Sequence, residues 1–141
     1  IMNAFLESLP KDTRLIFLRR YWHVDTIAEI AESIADLEEN AIAVSDECDK
    51  IKGYSVYTTQ LLRCSSSIGA NIFEAKYSQS ELDFINKFEI ALKESYETEY
   101  WLELLARKSK ISAEVHNMLR NRCGSIRARI IASIKTAKGI K

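Results

Sequence analysis

The stretch "TIAEIAESIADLEENAIAVSDECDKI", residues 26–51, carries the fold in its spacing. Ile27, Ile30, Ala31, Ile34, Leu37, Ala41, Val44, Cys48 and Ile51 recur at intervals of three and four, the period that lines one side of an α-helix. The pattern predicts a single amphipathic helix to about residue 52, stopped by Gly53. Thr26 and Glu29 form a T-x-x-E capping box that opens it. Up to Asp49 every charged side chain on it is acidic. Residues 24–49 hold nine acids (Asp25, Glu29, Glu32, Asp36, Glu38, Glu39, Asp46, Glu47, Asp49) and no Lys or Arg.

The same period continues outward. Tyr57, Leu61, Cys64, Ile68, Ile72 and Ala75 stripe a helix over residues 54–77. Ser80, with Asp83 three residues on, caps a helix reaching about residue 108. Its inner face reads Ile85, Phe88, Leu92, Tyr96, Leu102 and Leu105, widened by Phe84, Ala91 and Trp101. Ser112 caps a last helix, with Glu114 in its first turn and Val115, Leu119, Ile126, Ile130, Ile131 and Ile134 as its apolar side. Gly124 interrupts that helix, and close packing or a local bend is expected there. Upstream, Pro10 fits the first turn of a helix running to about residue 22.

One proline and four glycines in 141 residues leave few breakers, which favours long helices over a turn-rich β fold. The length suits one ordinary domain with a real core. The expected architecture is all-α: an up-down-up-down four-helix bundle with an N-terminal helical extension. No apolar run reaches the length of a membrane span and no signal peptide is visible, so the protein reads as cytoplasmic, with no membrane partner. Ile1-Met2 reads as a start methionine behind one extra residue. Cys48, Cys64 and Cys123 lack metal-like spacing and read as small reduced residues.

The net charge is zero, yet the charges are sorted along the chain. Residues 107–141 hold ten bases against one acid, Glu114. In an up-down bundle the first and last helices are neighbours, so the acidic and basic helices can neutralise each other. A second reading turns Arg120, Arg122, Arg127, Arg129, Lys135 and Lys138 towards a polyanion. These six spread around more than one face. Repeated on a ring of subunits, they would attract the RNA or DNA backbone without reading its sequence.

The segment "SSSIGANIFEA", residues 65–75, sets small side chains beside Asn71 and Glu74, which share one helical face. With Lys93, Glu94 and Glu97 on the next helix they form a candidate structural polar network or subunit contact. Counted from the intervening loop, the two groups are not level within one chain, and a neighbouring subunit is what could join them. Catalysis finds little support. Ser65, Ser66 and Ser67 have no histidine close in sequence, and no glycine-rich phosphate loop exists. Bundle di-iron sites need Glu-x-x-His, whereas this chain offers Glu94-x-x-Glu97 with His23 and His116 outside the motif. No catalytic residue, metal ligand or cofactor is therefore assigned, and a carboxylate metal protein is the remote alternative. Tyr96, Tyr100 and Trp101 read as core or interface aromatics in preference to base-stacking platforms.

"QLLRCSSSIGANIFEA" followed by "SELDFINKFEIALKESYETEYWLELL" resembles the four-helix-bundle family of proteins encoded in 23S rRNA intervening sequences. Asn71, Glu74, Asp83, Phe84, Lys87, Ala91, Lys93, Glu94, Glu97, Thr98, Tyr100, Trp101 and Leu102 stand where that motif has them, and the likeness spans about residues 40–137. The resemblance implies a homo-oligomer, typically a five-subunit barrel. The related accessory variability determinant of diversity-generating retroelements is strongly basic and works with a reverse transcriptase and nucleic acid, whereas this chain is neutral overall.

The N-terminus resembles something else. "FLESLPKDTRLIFLRRYWHVDTIAEIAESI", residues 5–34, is similar to the first part of region four of a sigma-70-type RNA polymerase factor. A recognition helix would come next in that region; here an acidic run follows with no glycine turn. Residues 1–34 therefore read as a truncated sigma-like fragment, continuous with the first bundle helix, and residues 35–141 as the bundle. The expected function is that of a non-enzymatic homo-oligomeric module for protein interaction or scaffolding, with a polymerase or reverse transcriptase as the kind of protein partner. The alternative is a nucleic-acid-binding accessory factor that uses the basic C-terminal helix.

Overall fold

The computed structural model describes residues 8–10, 13, 23–50 and 54–140. Four helices follow one another: α1 (His23–Asp49), α2 (Ser55–Ala75), α3 (Glu81–Arg107) and α4 (Ala113–Lys138). No strand occurs among the described residues. α1 lies against α2 and α4, and α3 lies against the same two helices, so consecutive helices run antiparallel around a closed square with α1 and α4 side by side. Of the expected helix over residues 10–22 only residues 10 and 13 are described; residues 1–7, 11, 12 and 14–22 of the sigma-like segment lie outside the described residues, as does Gly53.

The caps show why the helices begin where they do. Asp83 N–H donates to Ser80 Oγ at 3.0 Å, and Asp83 Oδ2 accepts from Gln79 N–H at 3.2 Å. Val115 N–H donates to Ser112 Oγ at 3.2 Å. At its end, α4 closes on Gly139, whose φ of 65° is the left-handed conformation that suits glycine. Thr26 does not open a helix. α1 already runs through it from His23, and passes residues 34 and 35 without a break.

Each helix sends one apolar stripe inward. Ile30, Leu37, Leu61, Ile68, Phe88, Leu102, Leu119, Ile126 and Ile130 are almost wholly buried, and each such side chain contributes roughly 1.5–3 kcal/mol by leaving water. Phe84 and Phe88 stack at 4.3 Å between ring centroids. Two sequence assignments are corrected here. Ala31 is exposed, and Tyr96, expected on the inner face of α3, is 54% exposed. The inner line of α3 passes instead through Ser95 and Thr98, both fully buried. Their hydroxyls donate to Leu92 O at 2.7 Å and Glu94 O at 2.8 Å, which removes the desolvation cost of hiding them. Small side chains at this level let α3 approach its neighbours closely.

Gly124 is a second correction in kind. α4 is continuous through it, and a Cβ built there meets nothing within 4 Å. The glycine thus costs helix propensity without serving packing. Gly124→Ala is expected to raise unfolding stability by about 1 kcal/mol, read as an increased midpoint in urea denaturation.

Candidate functional site

Residues 65–75 divide their side chains among three directions. Ser65, Ile68, Ile72 and Ala75 enter the core. Asn71 and Glu74 turn towards the α3 side but keep to separate partners. Asn71 Nδ2 donates to Ser67 O at 2.8 Å and lies 3.3 Å from Ser67 Oγ, one turn back on its own helix. Glu74 forms an ion pair with Lys87. Arg63, two turns nearer the start of α2, forks across Glu94 at 3.4 Å and Glu97, and Trp101 Nε1 donates to the same Glu97 oxygen at 3.3 Å. The Arg63 guanidinium holds the Glu97 carboxyl below the usual carboxylate range. Asn71 and Glu74 therefore do not meet Glu94 and Glu97 within the chain, and Lys93 is exposed and acts on Glu89, one turn back on α3.

The third direction was not legible in the sequence. Gly69, Ala70 and Phe73 face α1 beside Ala31, Ala35 and Glu38, and together they line a shallow groove of about 320 Å³. α1 comes so close here that a Cβ on Gly69 would stand 2.8 Å from Glu38 Oε1 and 3.1 Å from Ile34 Cγ2. Partial burial pushes the Glu38 carboxyl up, and no cation among the described residues offsets it. A signal was present all the same. Ala31, Ala35, Glu38 and Ile42 recur at four, three and four, a second stripe beside the inner one.

On the opposite face, α3 and α4 are joined by charge. Arg127 donates to Glu99 Oε2 at 2.5 Å, and its guanidinium lies 4.4 Å from the Tyr96 ring centroid, a cation–π contact. Arg120 reaches the other Glu99 oxygen at 3.1 Å, and Lys138 reaches Glu89 at 2.7 Å. Towards α1, Arg122 forms an ion pair with Asp36, while Arg129 donates to Glu29 O at 3.0 Å and lies 3.2 Å from Ser33 Oγ. Five of the six candidate nucleic-acid residues are thus engaged within the bundle, and Lys135 is the sixth. His116 Nε2 lies 3.2 Å from Glu103 Oε2 but off a hydrogen-bonding alignment. Among the described residues no three His, Cys, Asp or Glu side chains gather as a metal-ligand set, and no helix is long and apolar enough to cross a membrane.

Burial pushes the Glu99 carboxyl up, but hydrogen bonds from Arg127 and Arg120 outweigh it and leave the group below the ordinary glutamate range. A carboxylate depressed by folding adds stability above its unfolded value, about pH 4.3, and loses it as the pH falls through the lower folded value. Glu99→Gln should therefore lower stability at pH 7 by about 1–2 kcal/mol and flatten the acid limb below about pH 4.3, measured as urea midpoints across pH.

No curated protein matches the chain significantly. The profile of the 23S rRNA-intervening sequence protein family matches residues 27–132, a span that opens four residues inside α1 and closes within α4. The crystal structure of a protein with unknown function from the S23 ribosomal protein family of Bacteroides thetaiotaomicron VPI-5482 is 39% identical to this chain. The match covers 75% of this chain and 98% of that one, with a TM-score of 0.72. With sequence and architecture in agreement over all four helices, the chain belongs to the 23S rRNA-intervening sequence protein family.

Proposed function

We propose that this protein is a non-enzymatic helical-bundle module that assembles with copies of itself and serves as a scaffold for a protein partner. The observation that carries the reading is the outer line of α3. A helix in a lone bundle turns its outermost line to water and fills it with polar side chains. Here that line includes Leu82 at 66%, Ile90 at 40%, Tyr96 at 54% and Tyr100 at 57% exposure. On the far side, Phe73 at 62% lines the α1–α2 groove and Ile42 at 51% stands four residues beyond Glu38 on α1. Two separate apolar surfaces on a bundle of this size exceed what solubility favours, and self-association hides both. Five subunits are the number implied by the family resemblance.

The polyanion reading is the weaker one. Arg120, Arg122, Arg127, Arg129 and Lys138 already have partners on α1 and α3, and releasing them for phosphates would leave Glu99, Asp36 and Glu89 unpaired. A reverse transcriptase or polymerase as partner fits a scaffold whose acidic α1 face is left outward, with Glu32 and Glu39 on it.

Light scattering over a range of concentrations is expected to give a defined multiple of the 16.1 kDa chain mass, five for the ring the family suggests. A monomer at every concentration overturns the reading. Filter binding with RNA and DNA is expected to stay at the weak, non-specific level near physiological salt. Tight binding that falls steeply with salt and is lost in Lys135→Glu would transfer the function to α4.

A further inference from the structure

Glu38 is the one acidic side chain of α1 that folding draws into an apolar groove, and it has been given no cation. Ala31, Ala35, Gly69, Ala70 and Phe73 surround it, and burial raises its carboxyl. A half-buried carboxylate without a counter-charge is a cost that a docked cation removes. α1 carries no Lys or Arg from residue 24 to residue 49, so its own helix cannot supply one.

The outer line of α3 offers what the groove lacks. Lys93 is exposed, and the charge it acts on is Glu89, one turn back on its own helix. Lys93 stands three residues after Ile90, three before Tyr96 and seven before Tyr100, all exposed and all on the same side of the helix. A cation on this ridge, shared only with Glu89 one turn back, is the counterpart of the uncompensated anion in the apolar groove. Small residues flank the groove over a floor of Ile27, Ile34 and Ile72, and large side chains build the ridge. The ridge and the groove cannot meet within one chain, because α1 and α3 sit diagonally across the square and these surfaces point outward.

We infer that the α3 ridge of one copy seats in the α1–α2 groove of the next, with Lys93 of the first copy on Glu38 of the second. This rests on the self-association proposed above and names the surfaces that make it. Ridge and groove are different surfaces, so the contact is head-to-tail and leaves each copy a free ridge and a free groove. Such a contact closes into a ring when its rotation allows. Charge complementarity also sets the register along the ridge, since sliding by one turn would bury both charges unpaired.

Among exposed bases, Lys76 is the competitor. It stands three residues after the groove residue Phe73, at the end of α2, so its use would make a two-fold contact between identical surfaces.

The test is a charge swap read by light scattering, with far-UV circular dichroism and a thermal melt confirming that each variant folds. Glu38→Lys and Lys93→Glu are each expected to weaken self-association at least about tenfold, and the double variant to recover most of it. Zero-length carbodiimide crosslinking of the unaltered protein, followed by peptide mass spectrometry, is expected to join Glu38 to Lys93. No single chain can make that link. If the wild type assembles but the double variant fails to recover and the Glu38–Lys93 peptide is absent, the pairing is wrong while the oligomer stands. If Lys76→Glu disrupts assembly and Lys93→Glu does not, the two-fold contact replaces the head-to-tail one. If the wild type is a monomer, the underlying reading has failed and this one with it.

Discussion

Four helices must each hide one apolar stripe, and in this chain the stripes run along nearly the whole of every helix. Ile30, Leu37, Leu61, Ile68, Phe88, Leu102, Leu119 and Ile130 leave no choice but a common interior. Loops as short as residues 76–80 and 108–112 force each helix to turn back on the one before, which closes the square and makes α1 and α4 neighbours. Everything else about the surface follows from that closure. Once the inner stripes are fixed, the residues one step round each helix meet a neighbour, and those two steps round face water.

The charge distribution takes its meaning from this geometry. An acidic α1 and a basic α4 suggest either mutual neutralisation or a bare polyanion-binding face. The square divides the bases of α4 between two neighbours. Arg122 and Arg129 are drawn to α1, but Arg120, Arg127 and Lys138 are drawn to Glu99 and Glu89 on α3. α4 is held from two sides, and α1 is left with acids to spare. Neutral net charge thus conceals acids on the outer side of α1, while Arg120, Arg122, Arg127, Arg129 and Lys138 hold α4 to its neighbours. Arg127 shows the degree of commitment: it is mostly buried, paired with Glu99 and stacked on Tyr96.

The proposed self-association would use two surfaces of the single copy. The bundle leaves an anion in an apolar groove flanked by small residues and a cation on a ridge built from large ones. It leaves them on surfaces that cannot reach one another. The small residues of 65–75 that resembled a close helix contact serve two such contacts at once. Ser65 and Ile68 admit the core, and Gly69 admits α1 so closely that Glu38 covers it.

The sequence by itself determined four helices, their caps at Ser80 and Ser112, their antiparallel order and nearly all of the core, because a repeat of three and four is a local property of a chain written by its own residues. It was misled where size outranked polarity. Ser95 and Thr98 are buried because they are small and bond to their own helix, while the larger Tyr96 between them is turned outward. Only the tertiary structure decided which charges pair, that Gly124 faces open space, and that Glu38 sits in a groove with Gly69. Those facts depend on the rotation of one helix against another, and rotation is set by the fit of all four stripes together, which no single stretch of sequence contains.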